Sequence, residues 1–200
     1  MRFDLQIIAS WIEPGSRVLD LGCGSGDLLL HLQQTKQVRG TGIEQNEEKV
    51  SRCIEKGLSV LQGDFRDEVH DYPESSFDVV ILSQTLQQVM DPKNLIRELL
   101  RIGDRVIVSF PNFGYYRSRL QLLFKGQAPV TDQLPYEWYD TPNIRVITIR
   151  DFKRFLRVVG VRLAREVAIN THHHDRAGNI VTYWTNLRAT YGIMMLERPH

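Results

Sequence analysis

The sequence predicts an α/β fold: an open, doubly wound sheet of seven strands with helices on both faces. Short apolar runs typical of buried parallel strands alternate with segments whose apolar residues recur at helical spacing. A glycine-rich turn follows the first of these strands. The 200 residues, of which 42% are hydrophobic, can bury one full core, so we expect a single domain over residues 1–200.

The first half of the chain supplies five strands and the helices around them. Residues of helical apolar spacing lie at 7–12, 28–32, 46–56 and 95–100. Asn46 is the expected N-cap of the third helix, and Asp91 with Pro92 begins the fourth. The five strands are predicted at residues 17–21, 38–43, 58–61, 77–82 and 105–110. Because parallel strands end on the same side of a sheet, we expect a ligand at their carboxyl edge.

The pattern breaks at residues 111–148, which we interpret as an insert after the fifth strand. Four prolines and seven aromatic residues lie in this stretch, and a connection of this length has a function or a small structure of its own. Two roles stay open: a lid over the ligand pocket, or a docking surface anchored by Tyr and Trp. A helix capped by Thr148 then resumes the pattern, and the last two strands are predicted at residues 161–169 and 191–196.

Charge and cysteine content exclude several classes of function. The 25 basic and 24 acidic residues give a net charge of +1, which argues against a nucleic-acid coat or a membrane-surface binder. No apolar run approaches the roughly 20 residues that span a bilayer. Cys23 and Cys53 are the only cysteines, too few for a disulfide framework or a four-cysteine metal site, so we expect a cytoplasmic protein.

The sharpest motif is Val18-Leu19-Asp20-Leu21-Gly22-Cys23-Gly24-Ser25-Gly26. Its glycines allow a tight turn and the close approach of a ligand to the free amides of a helix N-terminus. A dinucleotide loop would carry a third glycine where this chain has Asp27. The acid at Asp20 would repel a pyrophosphate but suits an amino group or a sulfonium. The loop therefore favours S-adenosyl-L-methionine over NAD as the cofactor, with Cys23 as a small filler residue.

Two further acids follow the next strands. Glu44 ends the second strand about 20 residues after the loop, where a carboxylate can accept both ribose hydroxyls. Asp64 ends the third strand and could accept from the adenine amino group while Phe65 packs nearby. Taken singly, either acid could instead be a helix cap or a solvated turn residue. The ordered set with the glycine loop predicts a cofactor pocket.

This arrangement resembles the Rossmann-like class I fold of S-adenosylmethionine-dependent methyltransferases. Residues 77–88, 129–144 and 170–174 resemble more narrowly the methionine biosynthesis protein MetW family, over nearly the whole chain. The resemblance implies a role in L-methionine biosynthesis and a partner, homoserine O-acyltransferase, which is an α/β-hydrolase. It does not establish a methyl acceptor, because fold does not fix function.

The acceptor side of the predicted pocket lacks a known signature. Amino- and nucleobase methyltransferases often carry Asn/Asp-Pro-Pro-Tyr/Phe after the fourth strand, and this chain has Ser83-Gln84-Thr85-Leu86. We therefore expect a binding protein for S-adenosylmethionine or S-adenosyl-L-homocysteine, with Ser83 in the pocket, that activates the acyltransferase and senses the cofactor. Two alternatives stay open: a small-molecule methyltransferase, and a structural partner that binds no cofactor.

Three consecutive histidines at residues 172–174 offer several roles. In an extended segment His172 and His174 share one side, so they could ligate a metal, but zinc would need two further ligands. Either could instead act as a general base toward the pocket, since histidine titrates near neutrality. The remaining interpretation is a hydrogen-bonded scaffold or a partner contact. We expect no metal site.

Overall fold

A computed structural model describes residues 1–172 and 175–198 of the chain. One mixed sheet organises these residues, in the strand order β3-β2-β1-β4-β5-β8-β6-β7. The strands are β1 (Arg17–Leu21), β2 (Arg39–Glu44), β3 (Ser59–Gln62), β4 (Phe77–Ser83), β5 (Gly103–Pro111), β6 (Arg162–Asn170), β7 (Asn179–Ile180) and β8 (Tyr191–Glu197).

The first five strands run parallel, and the sheet then turns antiparallel. Strand β8 pairs antiparallel with both β5 and β6. The α/β sheet class is confirmed, but the sheet has eight strands in place of the seven that the sequence predicts. The extra strand, β7, consists of two exposed residues that pair with Ile169 and Asn170 at the sheet edge. A two-residue strand leaves no periodic pattern for sequence analysis to detect.

Helices cover both faces of the sheet. In the central strand β1, Leu19 and Leu21 belong to one apolar core and Val18 to the other. One core packs against α5 and α7, and the opposite core packs against α1 and α2. The helices are α1 (Phe3–Ser10), α2 (Asp27–Lys36), α3 (Glu47–Glu55), α4 (Phe65–Glu68), α5 (Pro92–Ile102), α6 (Tyr116–Lys125), α7 (Ile149–Val159) and α8 (Thr185–Arg188).

The predicted helix caps are confirmed. The Asn46 side chain accepts a hydrogen bond from the Lys49 amide at 3.0 Å, which begins α3. Asp91 accepts from the Asn94 amide at 3.1 Å. Thr148 Oγ1 accepts from the Asp151 amide at 3.0 Å, as a capping box requires. These caps fix where each helix begins relative to the strand before it.

The segment 111–148 differs from the rest of the chain. It contains one helix, α6, of which only Ser118 is buried. Asn112 anchors the start of the segment: its Nδ2 donates to the Ala189 carbonyl at 2.8 Å, and its Oδ1 accepts from the Gly114 amide at 3.1 Å. Within the described residues, no helix is long and apolar enough to cross a membrane.

Candidate functional site

The glycine loop joins the end of β1 to the start of α2 in a conformation that needs glycine. Gly22, Gly24 and Gly26 all have positive φ, at 71°, 58° and 74°. A Cβ atom on Gly26 would lie 2.4 Å from Cδ1 of Leu58 and 2.9 Å from Sγ of Cys53. A Cβ atom on Gly24 would meet nothing within 4 Å, because that residue borders open space. The loop is therefore tightly packed at Gly26, on the side of Leu58 and Cys53, and open to a ligand at Gly24.

Glu44 holds this loop from the end of the neighbouring strand. Its Oε2 accepts from the Gly24 amide at 2.9 Å, and its Oε1 accepts from the Asn46 amide at 3.0 Å. The carboxylate thus bridges the glycine loop and the N-terminus of α3. Each oxygen keeps a further lone pair for a ligand hydroxyl.

A cavity of about 460 Å³ opens between the carboxyl ends of β1, β2 and β4. The structure brings six of the sequence-predicted site residues into its wall, which are Asp20, Gly22, Cys23, Gly24, Glu44 and Ser83. Gly26 lies below the cavity, where it allows the turn into α2. The structure thus has a cavity at the predicted edge, and its ligand and the residues that bind it stay predictions.

Asp20 is the most strongly perturbed carboxyl group in the cavity wall. Its side chain is buried, with 4% of the residue exposed. The pKa of Asp20 is raised to about 7, mainly by burial; the guanidinium of Arg2 opposes this rise and the nearby charge of Glu44 adds to it. A cationic group in the cavity would favour the charged carboxylate at neutral pH.

Cys23 fills the space beneath the loop. Its Sγ lies against β2, so that a Cβ atom on Gly42 would sit 2.5 Å from that sulfur. Burial raises the pKa of the thiol, and the charge of Asp20 raises it further. The thiol is protonated at neutral pH, so this geometry favours the filler role over a nucleophilic one.

The two residues predicted to contact adenine do not line the cavity. Asp64 and Phe65 follow β3 as expected, but neither belongs to the cavity wall. Asp64 accepts from the Arg66 amide at 2.9 Å, caps α4 and forms an ion pair with the Arg66 guanidinium. These hydrogen bonds lower the pKa of Asp64. The side chain therefore performs the capping role that the sequence left open, and a contact with adenine stays a prediction.

Sequence reasoning missed several residues of the site, and three of them are connected by hydrogen bonds. Arg2 lies in the cavity wall, and Asp4 is 2% exposed just behind it. Gln84, in the loop after β4, donates from Nε2 to Oδ2 of Asp4 at 2.8 Å. The available signal was an arginine and an aspartate two residues apart at the start of the N-terminal helix. Its meaning depends on a contact across 80 residues of sequence, which no local pattern encodes.

His172, the one histidine of the motif that the structure describes, lies outside the cavity wall. Nδ1 of His172 is 2.7 Å from Oδ2 of Asp132, and both side chains are exposed. Gln133 Nε2 donates to the Thr171 carbonyl at 3.2 Å, so residues 129–144 meet residues 170–172 at the surface. His172 is not in the cavity wall, and His174 lies outside the described residues. Among residues 1–172 and 175–198, no group of three potential ligands could hold a metal ion.

Known structures share this fold. An S-adenosylmethionine-dependent methyltransferase of Thermotoga maritima superposes with a TM-score of 0.69 at 17% identity, over 98% of this chain and 88% of that one. The magnesium protoporphyrin IX methyltransferase of Synechocystis, with bound S-adenosylhomocysteine, gives 0.62 at 20% identity, over 98% and 82% of the two chains. These likenesses show the Rossmann-like class I methyltransferase fold.

Sequence relatives narrow the assignment. The bifunctional methionine biosynthesis protein MetXA/MetW of Rhodopirellula baltica is 34% identical over 176 residues, which are 84% of this chain and 28% of that protein. The chain thus spans little more than a quarter of that relative's length. The family model described as methionine biosynthesis protein MetW matches residues 2–196. The match covers both the cavity and the segment 111–148, and we conclude that the chain belongs to the MetW family.

Proposed function

We propose that this protein binds S-adenosylmethionine or S-adenosylhomocysteine in the cavity and acts as an accessory, activating subunit of homoserine O-acyltransferase in methionine biosynthesis. The observation that carries the proposal is a cavity whose acidic, glycine-rich wall suits this ligand, beside a loop after β4 that internal hydrogen bonds hold in place. The family match supports the pathway. The free thiols of Cys23 and Cys53 suit a reducing cytoplasm.

The charged and polar groups in the cavity wall suit this ligand. The wall carries Asp20, Asp27 and Glu44 against two bases, Arg2 and Lys49. This excess of acid suits a cationic sulfonium with an amino group and disfavours a pyrophosphate. A carboxylate at the end of β2 can accept ribose hydroxyls, and the glycine backbone allows close approach. The bound S-adenosylhomocysteine of the Synechocystis structure supports the same ligand class.

The acceptor side supports an accessory role. Gln84 stands directly after β4 with a φ of 53°, a rare conformation for a residue other than glycine. Its amide donates to the Ser109 carbonyl at 2.9 Å, its Nε2 donates to Asp4, and its carbonyl accepts from Gln87 at 2.6 Å. These bonds fix the conformation of the loop on the side of the cavity where a methyl acceptor would bind.

The partner is inferred from a relative and from an exposed surface. The Rhodopirellula protein is named for two methionine biosynthesis activities in one chain, which supports physical association of the two parts. Segment 111–148 exposes several large apolar side chains in the described chain. We call these the insert surface: Leu120, Leu122, Leu123, Phe124, Trp138 and Tyr139. Docking there is the role that we propose for the insert.

Co-purification with the homoserine O-acyltransferase of the same genome tests the proposal. The tagged protein should co-elute with the acyltransferase and raise its turnover of homoserine. Adding S-adenosylmethionine at saturation should change that activity, within the limit set by its differential affinity for the two states of the complex. Failure to co-elute, together with unchanged acyltransferase activity, would contradict the accessory role.

The second candidate is a small-molecule methyltransferase, and the volume of the cavity favours it. About 460 Å³ can hold a cofactor-sized ligand and extends to Ser83 and Gln84, on the acceptor side. The chain would position cofactor and acceptor in line, which is the main source of catalysis in such enzymes. Incubation with methyl-labelled cofactor and cell extract should then label a product that disappears in Glu44→Ala. Cofactor binding without any labelled product would exclude this candidate.

A further inference from the structure

The turn between β7 and α8 carries two aromatic side chains that face solvent. Tyr183 and Trp184 are each 77% exposed, and neither lines the cavity. Because large aromatic side chains are mostly buried in folded proteins, two adjacent exposed rings indicate a contact with another molecule. We call these two residues the aromatic turn.

The backbone of Trp184 has a conformation that a bulky residue rarely adopts. Its φ and ψ are 53° and 42°, in the left-handed region where a Cβ atom crowds the next carbonyl oxygen. Its carbonyl begins α8, since it accepts from the Leu187 amide at 2.8 Å and from the Arg188 amide at 2.9 Å. Glycine would adopt this conformation without strain. Strain kept at an exposed ring therefore points to a role for the side chain itself.

Three arginines surround Asn186, which lies two residues after the aromatic turn. The Asn186 side-chain oxygen accepts from the Arg150 amide at 3.0 Å, and its carbonyl accepts from Nη2 of Arg119 at 3.4 Å. Arg188 lies two residues further along α8. We call these three exposed arginines, Arg119, Arg150 and Arg188, the basic rim.

No carboxylate neutralises the basic rim within residues 1–172 and 175–198. The Arg119 guanidinium donates to two main-chain carbonyls, and those of Arg150 and Arg188 form no ion pair in this part of the chain. Charge is also uneven along the sequence. Residues 1–110 carry twelve basic and seventeen acidic side chains, whereas residues 111–200 carry thirteen basic and seven acidic ones. An acidic surface would therefore be attracted to the basic rim.

The basic rim borders the insert surface. Arg119 lies on α6 directly before Leu120, which is the first residue of that surface. Trp, Tyr and Arg are the residues that contribute most binding energy in protein interfaces. A single-stranded nucleic acid could stack on the two rings, but it would leave the leucines of the insert surface uncovered. The arrangement therefore favours a protein partner.

We propose that the aromatic turn is a second docking element for the homoserine O-acyltransferase, and that Trp184 inserts into an apolar pocket of that enzyme with an acidic edge. This inference rests on the proposed accessory function. The ring of Trp184 supplies the buried apolar contact, whereas the basic rim attracts the acidic edge and raises the association rate. The acyltransferase thus contacts the chain at two neighbouring places, the insert surface and the aromatic turn.

Surface plasmon resonance with the acyltransferase of the same genome tests the aromatic turn. Trp184→Gly keeps the left-handed backbone and removes the ring, so affinity should fall about 30-fold, mainly through faster dissociation. Trp184→Phe keeps an aromatic ring and should lose less. Ile54→Ala, which shortens an apolar side chain that is 62% exposed on α3, is the matched control and should bind normally.

Thermal unfolding of the same variants separates a lost contact from a lost fold. The midpoint for Trp184→Gly should not fall below that of the wild type, because the ring is exposed and glycine relieves the backbone strain. Weaker acyltransferase binding at an undiminished midpoint supports the inference. A lower midpoint would show that the fold itself needs the tryptophan, and would overturn the argument from strain.

Arg150→Glu tests the basic rim. Glutamate in the first turn of α7 suits the helix dipole, so the fold should be kept. The association rate at low salt should fall about tenfold, and its dependence on salt should weaken. Arg39→Glu makes the same change of charge at the start of β2 and should leave the rate within about twofold. An equal effect of both substitutions would contradict an acidic edge on the partner.

The outcomes separate this inference from the proposed function. If the wild-type protein does not bind the acyltransferase, the accessory role itself is wrong. If the wild type binds and Trp184→Gly binds equally well, the aromatic turn is not a docking element. Two other occupants would also overturn the inference: a second copy of the chain, if light scattering shows a dimer that Trp184→Gly abolishes, and a nucleic acid, if a labelled single-stranded oligonucleotide binds through Trp184 and displaces the acyltransferase.

Discussion

The cavity and the insert surface are built in opposite ways. Around the cavity, Asp20 and Asp4 are buried, and the ends of β1, β2 and β4 fix each functional group. On the insert surface, Leu123, Trp138 and Phe124 are 73%, 75% and 78% exposed. The first arrangement suits a small ligand that must meet preorganised donors. The second suits a protein partner that supplies the missing apolar contacts.

The largest effect should come from the loop that supports the cavity. Gly26→Ala places a Cβ against Leu58 and Cys53 at a φ of 74°, so we expect a loss of about 2–4 kcal/mol in the free energy of unfolding. Urea denaturation measures this loss. Gly24→Ala is the control, because its Cβ meets nothing within 4 Å and only the backbone strain remains. Equal stability of the two variants would show that the packing below the loop is not tight.

Glu44→Ala should separate the two regions. It removes the acceptor of the Gly24 and Asn46 amides and the proposed ribose contact, so we expect about a 100-fold loss of S-adenosylhomocysteine affinity by calorimetry. Glu44→Gln keeps one acceptor oxygen and should lose less. Binding of the acyltransferase should remain in both variants. Unchanged ligand affinity in Glu44→Ala would contradict the proposal that S-adenosylhomocysteine binds in this cavity.

Phe124→Ser tests the insert surface, because it should weaken binding of the acyltransferase and leave the stability of the protein unchanged. The side chain is exposed in the isolated chain, so the free energy of unfolding should change by no more than about 0.5 kcal/mol. Affinity for the acyltransferase should fall by about 2 kcal/mol, which surface plasmon resonance would report as roughly 30-fold. Val158→Ser, an exposed apolar residue on α7, is the matched control. An equal effect of both substitutions would contradict a specific role for the insert.

Asp20 predicts how ligand affinity depends on pH. Because its pKa in the free protein is about 7, the carboxyl is largely neutral at pH 6 and charged at pH 8. A ligand ammonium favours the charged form, so S-adenosylhomocysteine affinity should rise about tenfold from pH 6 to pH 8. Asp20→Asn should show a flat profile in the same calorimetric series. If the affinity of the wild-type protein were equally independent of pH, the proposed contact between Asp20 and the ligand ammonium would be contradicted.

The raised pKa of Asp20 also predicts the direction in which the free energy of unfolding changes with pH. A folded-state pKa above the unfolded value means that the native protein binds more protons than the unfolded chain between about pH 4 and pH 7. Stability without ligand should therefore fall as pH rises through this window. Asp20→Asn should remove that part of the slope in thermal unfolding, whereas an undiminished slope would assign it to other groups.

The smallest effect is expected where the two surface motifs meet. The pair between His172 and Asp132 is exposed, so Asp132→Asn should change the free energy of unfolding by less than about 1 kcal/mol. Ligand affinity should not change, because neither residue lines the cavity. Chemical denaturation and calorimetry check these two expectations. A large loss of ligand affinity would connect the histidine motif to the cavity after all.

Sequence reasoning succeeded where the determinants are local or follow strand order. The caps at Asn46 and Thr148 depend on neighbouring amides, and Glu44 was found because it ends the strand next to the glycine loop. Arg2 was not found, because its role depends on the tertiary contact between Asp4 and Gln84. Asp64 was placed correctly at the end of β3, but a local partner two residues away occupies its carboxylate.

Helix α6 was missed for a different reason. Leu120, Leu123 and Phe124 recur at helical spacing, but they lie in the segment that its prolines and aromatic residues led us to interpret as an insert. These apolar residues are exposed, and only Ser118 of α6 is buried. The failure is itself informative, since a helix with no internal core to cover is what a docking surface requires.

The central claim is that the cavity and the insert surface serve two different partners. Co-elution of the acyltransferase with Glu44→Ala and Phe124→Ser, measured beside S-adenosylhomocysteine binding of the same samples, tests it most directly. We predict that Glu44→Ala loses the ligand and keeps the acyltransferase, and that Phe124→Ser keeps the ligand and loses the acyltransferase. Loss of both partners by either variant, or of neither by both, would contradict the account.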